Sequence, residues 1–302
     1  MFDLIIVGAG PAGITASVYA ARKKMNLLVI TKDIGGQAAL SGDIENYTGY
    51  QFITGPELAG KFEEHMQKYG IELRENEEVI ELRRKDDGVW VKTDKGTYEA
   101  KTAVVASGKR SRELGVPGEK GFKNRGLTYC ATCDGPLFAG KDVAVIGGGN
   151  SALDAALQLI KIAKHIYLIN ITSALTGDAI MRGKVSESKK VSILNSTRVT
   201  AVLGDRMVSG IKIKRQEREE TLAVQGVFVE IGLIPNSEFA KQLEKNELGE
   251  IKVNCHNETN MPAIFAAGDV TDVAEKQIIV AAGEGAKAAL SAFRYLAKHK
   301  QK

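Results

Sequence analysis

Leu4-Ile5-Ile6-Val7-Gly8-Ala9-Gly10-Pro11-Ala12-Gly13 is the stretch that decides the fold. Four apolar residues in a row suit a strand buried on both faces, and the glycines that follow end it in a sharp turn. Ile14–Lys24 is then compatible with a helix and Leu27-Leu28-Val29-Ile30 with a second strand. The order strand, glycine turn, helix, strand is a βαβ unit.

The chain repeats this statement. Val143-Ala144-Val145-Ile146 leads into Gly147-Gly148-Gly149-Asn150-Ser151-Ala152, a helix near Leu153–Lys161, and Ile166-Tyr167-Leu168-Ile169. Each copy is followed by alternating segments with turn signals: Asp87-Gly88 and Lys95-Gly96 after the first, Gly204-Asp205 after the second. Such segments predict a small antiparallel meander laid over a parallel sheet. Gly and Pro at Leu114-Gly115-Val116-Pro117-Gly118 mark one boundary after a strand at Thr102–Ala106, and Asn236–Gly249 marks a softer one. The segment after it, with a long alanine-rich helix near Ile278–Lys298, is too short to fold alone and is expected to complete the first domain. The predicted fold is α/β, with two Rossmann-like dinucleotide-binding domains, the second inserted into the first. Residues 1–113 and 245–302 form one domain and 114–244 the other.

Length agrees, since 302 residues exceed what one core usually serves. A 44% hydrophobic content is that of a water-soluble chain, and no apolar run is long enough to span a membrane. Met1 leads straight into the first strand without a secretory signal, so the expected location is the cytoplasm. The net charge of +4 is spread along the chain, and its one basic cluster, Lys298-His299-Lys300-Gln301-Lys302, reads as a solvated tail and not as a nucleic-acid footprint.

A Gly-x-Gly-x-x-Gly loop between strand and helix lets a pyrophosphate approach the main chain, where the helix start offers free N–H groups; the bland alternative is a turn without ligand. Here the pattern falls on Gly8, Gly10 and Gly13, and again on Gly147, Gly149 and Ala152. The acidic sugar anchor usual about twenty residues on is missing from both copies: the places hold Thr31-Lys32-Asp33 and Asn170-Ile171-Thr172.

Cys130-Ala131-Thr132-Cys133 sets two thiols at the spacing of a disulfide that opens and closes, and a helix start there would favour the thiolate. Structural zinc needs four ligands, and beyond this pair the sequence has only Cys255 and four scattered histidines. Two buried small hydrophobes is the bland reading. Asp134 is either the acid or base that serves the leaving thiolate or a helix cap, and Cys255 is expected to be inert.

Taken together, Gly8–Gly13, Gly35-Gly36-Gln37, Glu45-Asn46-Tyr47, Ala106-Ser107-Gly108, Cys130–Gly135, Gly147–Ala152 and Gly268-Asp269-Val270 resemble the low-molecular-weight thioredoxin reductases and the flavoprotein subunit of alkyl hydroperoxide reductase. Cys133–Phe138, Lys276–Val280 and Gly283–Lys287 lean toward the second. That subunit carries an additional amino-terminal thioredoxin-like region, and because this chain begins at the first dinucleotide domain, the thioredoxin reductase reading is preferred.

The resemblance implies FAD held by Gly8, Gly10, Pro11, Ala12 and Gly13 at the pyrophosphate, with Thr31 at the sugar position. It places Gly36, Gln37 and Asn46 beside the flavin, Gly268 and Asp269 on the ribityl chain, and Lys276, Gln277 and Ile278 near the ring. Gly147, Gly149, Asn150 and Ser151 would take a nicotinamide dinucleotide. It further implies a homodimer in which Cys133 faces the flavin, Cys130 attacks the disulfide of thioredoxin or a thioredoxin-like protein, Asp134 moves the proton, and the inserted domain swings about Leu114–Gly118 and Asn236–Gly249. Alternatives are a reductase serving a peroxiredoxin system through a separate carrier, and a redox-sensing flavoprotein.

One departure bears on the electron donor. Relatives that use NADPH carry a basic run beginning His-Arg-Arg after the second strand of the inserted domain, whereas Asn170–Thr176 carries no positive charge. The sequence therefore predicts NADH, with Asn170 on the ribose hydroxyls, or a donor such as ferredoxin or a deazaflavin, ahead of NADPH. Arg182 and Lys184 are the nearest candidates for a phosphate contact.

Overall fold

The computed structural model describes residues 1–41, 43–44, 46–85 and 88–299, and of Asp43, Thr132 and Cys133 the backbone alone. Glu45 and Asp87, quoted above, and the tail from Lys300 lie outside the described residues. The chain divides into two compact units, 1–110 with 234–302, and 111–233, so the second is inserted into the first.

In the first unit five strands run parallel in the order Glu72–Arg74, Leu27–Ile34, Phe2–Ala9, Thr97–Val105, Ile264–Ala266. Strand Thr97–Val105 serves twice. Its end, Ala103–Val105, pairs with Ile264–Ala266, while Thr97–Ala100 pairs antiparallel with Val89–Lys92 and so launches the meander completed by Val79–Lys85.

The unbroken apolar run of the first strand has a direct cause, because both its faces are covered. Leu4 and Ile6 pack with helices Pro11–Arg22 and Ile278–His299 on one side. Ile5 and Val7 pack with the meander residues Leu82, Val89 and Val91 and with Ala240, Leu243 and Ile251 on the other. The first helix begins at Pro11, earlier than the expected Ile14, because proline's missing N–H costs nothing in a first turn.

The second unit repeats the plan with strands Val191–Leu194, His165–Ile169, Asp142–Ile146, Gly226–Val229 and Leu127–Thr128, all parallel. Val143, Val145 and Phe228 face helix Asn150–Ile160 through Leu153, Ala156 and Leu159. Ala144, Ile146 and Val227 face the meander Thr197–Gly204, Val208–Arg215 and Arg218–Leu222. The duplication read from the sequence is thus real at the level of layers. Among the described residues no helix is long and apolar enough to cross a membrane.

Candidate functional site

The first glycine loop is fixed by backbone contacts that exclude side chains. Gly8 has φ +103°, and a Cβ there would lie 2.4 Å from the Ala106 carbonyl oxygen; a Cβ at Gly13 would lie 1.9 Å from that of Gly8. Gly10 differs. Its nearest neighbour would be the Gly35 carbonyl oxygen at 4.0 Å, so space opens there at the start of helix Pro11–Arg22, which no side chain caps.

Other predicted residues converge on this opening. Gly36, at φ +53°, would set a Cβ 3.4 Å from Gly10 Cα, and the Gly35 N–H donates to the Ala9 carbonyl at 2.7 Å. Gly268 has φ +76° and packs on Ala12, whose Cβ would be 2.9 Å from its own. Its N–H donates to Glu284 Oε2 at 3.1 Å. Asp269 is half-buried, and desolvation pushes its carboxyl up against the opposing pull of Lys276 and Lys109.

Lys276 Nζ lies 3.1 Å and Lys109 Nζ 2.6 Å from Glu250 Oε1, and Asn246 Nδ2 donates to Glu250 Oε2 at 2.6 Å. Asn46 Nδ2 donates to Gln277 Oε1 at 3.1 Å, joining two predicted residues far apart in the chain. Ile278 packs on the small cluster of Ile44, Ile53 and Leu58, whereas Gln37 is exposed. The Thr31 hydroxyl is buried, accepting from the Ala9 N–H at 3.2 Å and donating to the Asp33 carbonyl at 2.5 Å, so it clamps the two strands together.

In the second unit Gly147 has φ +141°, and its Cβ would meet the Glu230 carbonyl oxygen at 2.2 Å. Gly149 has nothing within 4 Å. The Gly148 carbonyl accepts from Thr176 N at 2.8 Å and Gly177 N at 3.1 Å, and Asn150 Oδ1 accepts from Asp178 N at 2.7 Å. Ser151 is exposed at the helix start. A cleft of about 970 Å³ lies over this loop, lined also by Leu114–Pro117, Asn170–Thr172 and Glu230–Gly232.

Two expectations need correction here. The Asn170 side chain does not present itself to a ribose: its amide donates to the Thr172 and Ala174 carbonyls and to Asn195 Oδ1, and its oxygen accepts from Thr172 N and Oγ1. All its capacity closes the 170–174 loop, and it is 3% exposed. Arg182 turns to the Leu175 carbonyl at 3.4 Å, and neither it nor Lys184 lines the cleft; the cations that do are Arg112 and Arg198.

The cysteine turn is shorter than a helix start. Ala131–Asp134 makes one helical turn and passes into the 3-10 turn Gly135–Phe138, so little macrodipole is available. Cys130 is disulfide-bonded and half-buried. Its N–H donates to Thr128 Oγ1 at 3.2 Å, and the Thr128 hydroxyl donates in turn to Asp134 Oδ2. Asp134 makes no side-chain cap to the turn that follows. The Cys133 side chain lies outside the described residues.

Further groups belong to this site that sequence reasoning missed. Glu119, 2% exposed, accepts from Leu114 N and Gly115 N at 2.7 Å each and from Tyr129 Oη at 2.8 Å, so one carboxylate fixes both the cleft wall and the residue before Cys130. Burial and then this carboxylate push the Tyr129 phenol well above its usual range. Glu230 accepts from the Ala131 N–H. Isolated acids carry no spacing signal, which is why they passed unnoticed. Cys255 is a free, exposed thiol. Among the described residues, no group of three or more His, Cys, Asp or Glu is placed to hold a metal ion.

Comparison with known families matches residues 2–285 to the pyridine nucleotide-disulphide oxidoreductases. The chain belongs to this family. The corresponding alkyl hydroperoxide reductase flavoprotein of Pseudomonas aeruginosa is 43% identical over 303 residues, covering 98% of this chain and 58% of the relative. An NADH dehydrogenase of Bacillus subtilis is 40% identical over 301 residues, covering 99% and 59%. Thus the chain spans about three fifths of the length of these curated family members. Among solved structures, thioredoxin reductase from Lactococcus lactis superposes with a TM-score of 0.81 at 33% identity, covering 99% of this chain and 100% of that one. The family likeness read from the motifs is therefore established, and with it a thioredoxin-reductase-like flavoprotein oxidoreductase fold.

Proposed function

We propose that this protein is an FAD-dependent disulfide reductase that draws electrons from NADH and passes them through Cys130 and Cys133 to a disulfide of thioredoxin or a thioredoxin-like protein. The observation that carries the reading is the disulfide-bonded Cys130 on a turn wired to an acid, in the same unit as a glycine loop with an open cleft above it.

FAD fits the first unit. The opening at Gly10 has room and free helix-start donors for a pyrophosphate, and Gly268 and Asp269 reach the same loop through Ala12. Bound there, FAD would accept a hydride from a nicotinamide and hand an electron pair to a disulfide. Gly8, Gly10, Pro11, Ala12 and Gly13 would hold its phosphates, Asp269 its ribityl hydroxyls, and Gly36, Gln37, Asn46, Lys276, Gln277 and Ile278 the flavin end. Gly147, Gly149, Asn150 and Ser151 would take the pyrophosphate of the donor.

Two electrons open the disulfide, leaving one sulfur as thiolate and one protonated, with Asp134 supplying that proton under the hydrogen bond from Thr128. The Cys130 thiolate then attacks the partner's disulfide and expels one partner thiolate. Cys133, its proton returned to Asp134, attacks the Cys130 sulfur of the mixed disulfide and expels the second partner thiolate, which restores the oxidised pair and releases a dithiol partner. The same thiols would serve a peroxiredoxin system through a separate thioredoxin-like carrier, a second reading favoured by the likeness to the alkyl hydroperoxide reductase flavoprotein. A homodimer is the expected assembly.

The test is NADH-driven release of thiols from oxidised thioredoxin. Cys130→Ser and Cys133→Ser should each abolish turnover while FAD stays bound. Cys130→Ser alone should show a long-wavelength thiolate-to-flavin absorption band. A colourless protein that cannot be reconstituted with FAD, or full turnover in either variant, refutes the reading.

A further inference from the structure

Glu230 follows strand Gly226–Val229 and has no part in the reaction described above, yet three parts of the second unit meet at it. Its N–H donates to the Ile146 carbonyl at 2.8 Å, its own carbonyl oxygen lies where a Cβ on Gly147 would be, 2.2 Å away, and it lines the cleft over the glycine loop. Its carboxyl, half-buried, accepts the N–H of Ala131, the residue after Cys130. A main-chain amide adjoining a redox-active cysteine is thereby bound by an ionisable group that stands at the wall of the donor cleft.

We propose that Glu230 is a positioning residue of the cysteine turn, holding the Ala131 N–H and through its own charge setting how readily Cys130 becomes a thiolate. The inference rests on the disulfide-reductase reading of that turn. Other charged and titratable groups around Glu230 are Asp154 on helix Asn150–Ile160, Cys130 and Asp134 on the turn, and Arg112 and Arg198 in the same cleft. Burial, offset by the Ala131 N–H and reinforced by Asp154, brings the Glu230 carboxyl up to about 7. Its charge therefore changes in the range where the enzyme would work.

The sign follows from electrostatics. Above neutral pH Glu230 is an anion near Cys130 and opposes a second negative charge, raising the thiol's pKa; below neutral pH it is neutral and the opposition disappears. The titration of Cys130 is then stretched over a wider pH range than a single group shows. Glu230→Gln keeps an oxygen for the Ala131 N–H and fixes the neutral state.

The experiment uses the full chain reduced with dithiothreitol, the excess reductant removed, and follows alkylation of Cys130 by iodoacetamide from pH 5 to 10 by mass spectrometry. No electron donor or protein substrate is needed. Wild type should give a stretched profile, and E230Q a single steeper titration with alkylation at pH 8 faster by about threefold, the size a half-unit shift would give. Superposable profiles overturn the proposal. If E230Q does not fold, E230D is read instead. Its shorter carboxyl withdraws from Ala131 and should move the stretched region, and an unmoved profile is equally fatal. Turnover of thioredoxin is measured in parallel on wild type, so loss of the functional reading shows as absent turnover with the alkylation difference intact.

Discussion

Glu250 shows how single residues sustain the first unit. Burial alone would raise its carboxyl, but hydrogen bonds from Lys109, Asn246 and Lys276 outweigh that and hold it at about 2. A carboxylate whose folded pKa is depressed stabilises the fold above its unfolded pKa, and loses that contribution as pH falls through the folded value. The window is therefore from about 4.5 down to about 2. At roughly 1.4 kcal/mol per unit, the contribution at neutral pH is on the order of 2–3 kcal/mol. Glu250→Gln should lower urea-denaturation stability at pH 7 and converge with wild type near pH 2; a difference constant with pH would show that the carboxylate's charge is not the cause. None of this was legible in sequence. Lys109 and Glu250 are 141 residues apart, and nothing in either neighbourhood separates these charges from solvated ones. Glycines and the cysteine pair were legible because their spacing is itself the signal.

At the scale of elements, strands and helices were read with the right type and order, and their ends drifted by a few residues where Pro11 and Asn150 begin helices earlier than the hydrophobic pattern does. What the pattern did not contain was how the alanine-rich helix Ile278–His299 meets helix Pro11–Arg22. Gly285 decides it. A Cβ there would stand 2.0 Å from the Ala12 carbonyl oxygen, so the two backbones touch at the loop that also carries Gly268. In the same helix, Gly283 has nothing within 4 Å. Gly285→Ala should therefore separate the helices, lowering stability by roughly 1–3 kcal/mol and loosening the bound flavin. Gly283→Ala should instead raise stability by about 0.5–1 kcal/mol through backbone entropy. Thermal melting with flavin fluorescence reads both, and equal effects of the two substitutions would rule out the close approach as the reason for Gly285.

At the scale of the whole molecule, a duplicated strand, glycine loop and helix announced two dinucleotide units, and the structure bears this out layer by layer. The donor was the point where sequence and relatives diverged, and the structure narrows why. The stretch Asn170–Thr176 supplies no charge, and Asn170 is consumed in closing that loop. Its closure leaves Arg198, exposed on strand Thr197–Gly204, and Arg112 as the cleft's only basic side chains among the described lining residues. A ribose 2′-phosphate carries close to two negative charges, and its recognition depends on charge-assisted, often bidentate contacts worth about 1.5–3 kcal/mol each. Without a cluster of such contacts, NADPH gains little to offset desolvation of that phosphate. NADH should consequently bleach the flavin at least about tenfold more efficiently than NADPH, the equivalent of losing one such contact. Stopped-flow traces at 450 nm under anaerobic conditions test this, and Arg198→Ala sharpens the test. If the 2′-phosphate is not read, the substitution leaves the NADH-to-NADPH ratio unchanged. Should NADPH prove the faster donor and Arg198→Ala reverse the order, the phosphate would be read from the meander side of the cleft, and the uncharged loop would not decide donor choice.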